Sequence, residues 1–222
     1  MTHTEKLRLV FEEQANSYNA KKMSSYMRNK FEYFGLKSPE RKDITKLFFK
    51  NNGLPDDVDA MAKEWWQQPE REFQYIAMEM LDKNKKKSDR NRIELYEYLI
   101  INKSWWDTID LIAAKLVGYH FRAFPDLTPV YTEKWMNSGN FWLQRTCLLF
   151  QLKYKKDTDW EMMQRFIHEL KDEKEFFIRK AIGWVLREYS KTYPDKVQEF
   201  IDNTELSNLS RKEGLKIIEK NR

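Results

Sequence analysis

The segment Lys103-Ser104-Trp105-Trp106-Asp107-Thr108-Ile109-Asp110 sets two carboxylates beside adjacent indoles. The two acids carry different expectations. Ser104 followed three residues later by Asp107 has the form of a capping box, which makes Asp107 a structural residue at a helix start. Asp110 stands a full turn farther in, where it can cap nothing and where a buried carboxylate needs a cation partner or groove water. Arg145 and Lys180 follow Asp110 at steps of 35 residues, and Tyr75 precedes it by the same step. Trp106 lies four residues before Asp110 and Trp184 four after Lys180, so each shares a helix face with its polar neighbour. Two indoles, a carboxylate and two cations therefore point to one surface. Asp110 is open to two readings there: a salt bridge to Arg145, or a carboxylate that works on a ligand. Lys103, Arg145, Arg179, Lys180 and Arg187 gather near the same face, where such a row either tracks duplex phosphates or forms an ordinary solvated surface.

The elements that must position these groups are helices. Apolar residues recur at threes and fours, as in Leu7, Val10 and Phe11 or Ile93, Tyr96, Leu99 and Ile100, the period of amphipathic helices. Breaks fall at Gly35 to Pro39, Gly53 to Pro55, Pro69, Pro125, Gly139 and Pro194, leaving about a dozen segments of ordinary helix length. Ser38-Pro39 has the form of an N-cap followed by proline at the first helical position. Lys83 to Lys87 reads as a solvated helix end or loop, with phosphate contact as the alternative reading. The stretch from Trp142 to Tyr154 superposes on Phe177 to Tyr189 at a shift of 35 residues. Carried backwards, the shift aligns Phe73, Thr108, Leu143 and Ile178, and also Ala77, Ile112, Cys147 and Ile182. A period of this size in a helical chain indicates stacked helix pairs. The expected fold is all-α, an α-solenoid of HEAT-like repeats with a concave basic groove, formed as a single domain over residues 1–222.

Composition narrows the function classes. Hydrophobic residues make up 41% and charged residues 34% of the 222, enough apolar material to pack a core. The formal net charge of +5 fits a polyanion partner without requiring one. Cys147 is the single cysteine; it lies in an apolar run, reads as a buried thiol and points to a reducing cytosol. With His3, His120 and His168 scattered along the chain, no metal site and no cofactor are expected. No apolar stretch reaches the length of a membrane span, and the first residues do not resemble a signal peptide. A monomer in the cytosol is expected. Trp65, Trp135, Trp142 and Trp160 read as core.

KSWWDTID, FWLQRTCLLFQLKYK, KEFFIRKAIGWVLREY and SSYMRNKFEYFGLKSPERK resemble, in order and spacing, the AlkD family of bacterial alkylpurine DNA glycosylases. The resemblance covers nearly the whole chain. It implies a monofunctional DNA repair N-glycosylase, with Asp110 as the catalytic carboxylate, Trp106 and Trp184 as the indoles flanking the lesion, Arg145 as a partner in the cleft and Tyr26 as a duplex contact. The implied partner is double-stranded DNA carrying 7-methylguanine or 3-methyladenine, handled without a base-flipping pocket. Two other readings stand beside it: a non-catalytic helical-repeat protein that binds DNA or a protein partner, and a bifunctional lyase with Lys180 as nucleophile.

Overall fold

A computed structural model describes residues 1–220. Among them the chain is helical throughout and has no strand, Glu32 and Glu70 forming an isolated bridge. Its contacts gather into two compact units, Met1–Ser88 and the part from Asp89 onward. Each unit is built as stacked helix pairs, the architecture of an α-solenoid.

Local sequence dictates the helix starts of the first unit. Helix α1 (His3–Glu13) is closed by Thr2, whose hydroxyl accepts the Glu5 amide at 3.1 Å while the Glu5 carboxylate accepts the Thr2 amide at 2.8 Å. Asn16 caps α2 (Ser17–Tyr26), and Asp57 caps α4 (Val58–Gln67). Helix α3 (Ser38–Asn52) starts one residue earlier than the Ser38-Pro39 pair predicts. Lys37 is its N-cap, and Glu40 accepts the Lys37 amide at 3.1 Å. Ser38 and Pro39 both lie in the first turn, where a missing proline N–H loses no intrahelical bond. Helix α5 (Arg71–Asn84) follows Pro69 and ends in a short turn at Lys85–Lys87, where Lys85 pairs with Asp82 at 2.7 Å. Leu7, Phe11, Phe48, Trp65, Trp66 and Phe73 fill the core. Buried Glu72 ties the loop before α3 to α5 by accepting the amides of Phe34, Gly35 and Leu36 at 3.2, 2.9 and 3.1 Å. Gly35 is required in that loop: it holds φ +91, and a Cβ there would strike the Asn16 carbonyl.

In the second unit, α6 (Arg92–Ile101) precedes α7 (Trp106–Leu111), which runs through a π-helical turn at Ile112–Val117 into α8 (Gly118–Ala123). There follow α9 (Leu127–Met136), α10 (Phe141–Leu149), α11 (Trp160–Leu170), α12 (Phe176–Tyr189), α13 (Pro194–Asn203) and α14 (Asn208–Lys220). The second helix of each pair packs on the next: the π turn on α10, α10 on α12, and α12 on α14. The 35-residue columns are the reason. Thr108, Leu143 and Ile178, and likewise Ile112, Cys147 and Ile182, are all buried, as Phe73 and Ala77 are in the first unit. Cys147 is a free, buried thiol whose pKa burial pushes up. Trp65, Trp135 and Trp142 are core as expected. Trp160 departs from that expectation: it opens α11 and is only half-buried, its ring stacked on Tyr189 at a centroid distance of 4.5 Å. The π turn is a second departure, because one extra residue in a turn leaves the spacing of threes and fours on either side intact.

Candidate active site

Asp110 projects from the last turn of α7 into a cleft of ≈ 370 Å³ that Trp106, Asp107, Leu111, Lys153 and Trp184 also line. The four-residue step from Trp106 to Asp110 places both on one face, while Trp184 comes from α12. Both indoles are half-buried, so each presents part of its surface to the cleft.

Arg145, on α10, holds Asp110 in a two-pronged grip. Its Nε donates to Oδ1 at 2.8 Å and its Nη2 to Oδ2 at 3.0 Å. Its Nη1 donates to the Phe177 carbonyl. The guanidinium fork is thus shared between a carboxylate and the backbone, which fixes the carboxylate plane as well as its position. The Arg145 side chain is 3% exposed and that of Asp110 20%, so the pair has a buried cationic end and a carboxylate edge open to the cleft. Burial pushes the Asp110 carboxyl above its ordinary range; Arg145 pulls against this, and the nearby Asp107 charge adds to the rise. The repeat spacing left a choice between pairing with Arg145 and working on a ligand; the structure shows the pairing, with the carboxylate also on the cleft wall.

Beneath the pair lies an aromatic platform. Phe177 packs on Trp142 at 4.9 Å and on Trp105 at 5.2 Å between centroids, and the Arg145 guanidinium lies 5.9 Å from the Phe177 ring. Trp105 and Phe177 escaped the sequence reading of the site. The signal for Phe177 was there, since it stands one 35-residue step after Trp142.

Asp107 does not cap α7. Trp105 is the N-cap and contributes no side-chain bond, while the Ser104 hydroxyl donates back to the Ile100 carbonyl at 2.5 Å. A box needs the Ser104 oxygen to face forward, and the end of α6 takes it instead. Asp107 consequently stands with Asp110 on the cleft wall.

The remaining cations are placed differently from one another. Lys103 sits in the turn before α7 at φ +48. Arg179 donates its Nε to the Glu173 carbonyl at 2.8 Å. Lys180 and Arg187 both turn to Glu213 of α14, each at 2.8 Å. Tyr26 belongs to the first unit, where it is 72% exposed and lines a cleft of ≈ 460 Å³ with Lys22, Tyr33, Arg41 and Tyr75. Tyr75 lies within cation–π distance of Arg41, 4.7 Å from guanidinium carbon to ring. Among the described residues, no group of three or more His, Cys, Asp or Glu side chains is placed to hold a metal ion, and no helix is long and apolar enough to cross a membrane.

The sequence model of the DNA alkylation repair enzymes matches residues 7–218. The chain belongs to that family. The family assignment agrees with structural comparison: a solved structure described as a predicted DNA alkylation repair enzyme from Enterococcus faecalis superposes with a TM-score of 0.85 at 32% identity. The match covers 93% of this chain and 97% of the other. No curated protein matches. Membership of the DNA alkylation repair family supports an enzyme role in DNA repair.

Proposed function

We propose that this DNA alkylation repair enzyme is an N-glycosylase that releases cationic alkylated purines, 7-methylguanine and 3-methyladenine among them, from duplex DNA. The observation that carries the reading is the Asp110 carboxylate, gripped by Arg145 and open to a cleft lined by Trp106 and Trp184. An N-alkylated purine already bears positive charge, so it departs without protonation. What the protein must supply is a response to the positive charge that develops on the sugar as the N-glycosidic bond breaks. A carboxylate with one edge in the cleft can do this and can also orient the water that adds to the sugar carbon. Arg145 keeps that edge from rotating away. Indole faces attract cations by about 0.5 to 2 kcal/mol each, so Trp106 and Trp184 favour a charged base over its neutral counterpart. This recognition is electrostatic and needs no enclosing base pocket. Tyr26, Lys103 and Arg179 are the proposed duplex contacts, through phosphate and sugar.

Incubation with methylated duplex DNA, followed by identification of the free bases, tests the reading. Asp110→Asn is expected to leave duplex binding nearly intact and to slow release of 7-methylguanine by about 10² to 10³-fold, the usual scale for removing one electrostatic group from a reacting centre. Release at the wild-type rate from that variant overturns the assignment. No release by the wild-type protein favours a repeat protein that binds DNA without cutting it.

A further inference from the structure

Glu213 is a carboxylate bonded to the cations on either side of Trp184, and its surroundings are the reverse of those of Asp110. It sits on α14 with a side chain only 6% exposed, and it receives Lys180 on Oε1 and Arg187 on Oε2, each at 2.8 Å, and Lys216 on Oε1. Lys180, Trp184 and Arg187 follow one another on α12 at steps of four and three, so the indole stands between the two cations on one helix face. The approach of α14 that brings Glu213 there depends on Gly183, the residue before Trp184. A Cβ at that position would strike Glu213 Cβ and would come within 2.9 Å of the Ser210 carbonyl. Ser210 Oγ in turn donates to the Arg179 carbonyl at 2.9 Å, fastening α14 to α12 one turn away. Burial pushes the Glu213 carboxyl up, but its bonds to Lys180 and Lys216 outweigh that and hold it ionised, with a pKa of about 2.

A cationic base poses a conflict for a DNA-binding surface. Lysine and arginine attract the phosphates, yet the same charges beside the indole repel the lesion and the positive sugar that forms from it. We infer that Glu213 is a positioning residue that eases this conflict: it turns Lys180 and Arg187 away from DNA and offsets one unit of their positive charge, leaving the Trp184 wall of the cleft more receptive to positive charge. The inference rests on the glycosylase reading of the Asp110 cleft. It also assigns Lys180 and Arg187 to the electrostatics of the wall in place of the phosphate row that their spacing suggested. The side chains of Lys180 and Arg187 are 38% and 28% exposed, so both can swing into solvent or onto phosphate once the carboxylate charge is gone.

Glu213→Gln removes the charge and keeps the shape. Binding of this variant to undamaged duplex is expected to tighten at low salt, and the slope of log K against log salt to steepen by about 1 to 2, close to 0.9 for each released cation. Single-turnover release of 7-methylguanine from saturated complex is expected to fall on the order of tenfold, the scale of a unit charge roughly 12 Å away at an effective dielectric near 20. Glu213→Asp, which retains the charge on a shorter stem, should restore the wild-type slope and most of the release. An unchanged salt slope overturns the inference. So does a parallel loss of binding and release, which is what a merely structural residue would give. If Glu213→Gln does not fold, the double variant Glu213→Gln/Lys216→Gln carries the same test with one fewer unneutralised cation. The two readings fail separately: absence of base release from the wild type refutes the glycosylase, whereas the salt slope on undamaged DNA judges Glu213.

Discussion

Glu72 in the first unit and Asp110 in the second are both carboxylates on the second helix of a repeat pair, and burial pushes both above the ordinary range. Their partners separate them. Glu72 is fully buried and spends its oxygens on three successive backbone amides, so its lone pairs are directed into a loop that cannot move without exposing unpaired N–H groups. Asp110 is held along one side by a single guanidinium and keeps an edge in a cleft between indole-bearing helices. A carboxylate fastened by backbone is a structural knot, while one fastened by a side chain and partly exposed keeps an edge open to the cleft. Buried charge by itself does not distinguish them; the direction of the free lone pairs does.

The difference can be broken most forcefully at Glu72. Glu72→Ala leaves three buried amides without an acceptor, each costing about 1 to 3 kcal/mol, and the expected loss in urea-unfolding stability is about 3 kcal/mol or more. A loss under about 1 kcal/mol would mean that the loop relaxes easily and that Glu72 is no knot. On the other side of the comparison, Trp184→Leu removes an aromatic face from the Asp110 cleft without touching the Arg145 grip. Release of 7-methylguanine should fall between about 2-fold and 30-fold, equivalent to about 0.5 to 2 kcal/mol, with unfolding nearly unchanged. An undiminished rate would remove the indole from the recognition of charge.

The smallest effect concerns pH. On the proposed glycosylase mechanism Asp110 must be ionised to answer positive charge, and its carboxyl is raised from the ordinary 3.8 by burial, with Asp107 contributing. Base release, corrected for spontaneous loss, should therefore decline on the acid side at a higher pH than an unperturbed aspartate would give. Asp107→Asn removes a like charge, lowers the Asp110 value and should carry the acid limb to lower pH. Movement in the other direction would show that Asp107 acts on the cleft by some means other than its charge.

Much of this architecture was legible before any coordinates. The columns through Thr108, Leu143 and Ile178 and through Ile112, Cys147 and Ile182 are buried as the 35-residue period required. Trp106 and Asp110 share a cleft as their four-residue step required. Where local bonds compete, the sequence misled: Ser104 turned back to Ile100, and Asp107 lost its capping role. Trp160 fitted the apolar pattern of α11, but a helix-opening position let it stack on Tyr189 at an edge of the core.

By itself, then, the sequence determined the helices, their period and the face on which each buries, because those follow from side-chain spacing along a single chain. Tertiary structure alone decided the pairing of charges. Arg145 had a neighbour in register and took it, whereas Lys180 and Arg187 shared the register of the polar column and its surroundings yet went to Glu213, 33 and 26 residues away on α14. No period predicts that choice. It depends on how closely α14 approaches at Gly183, and Coulomb energy, which falls with distance and rises with burial, follows the approach rather than the spacing.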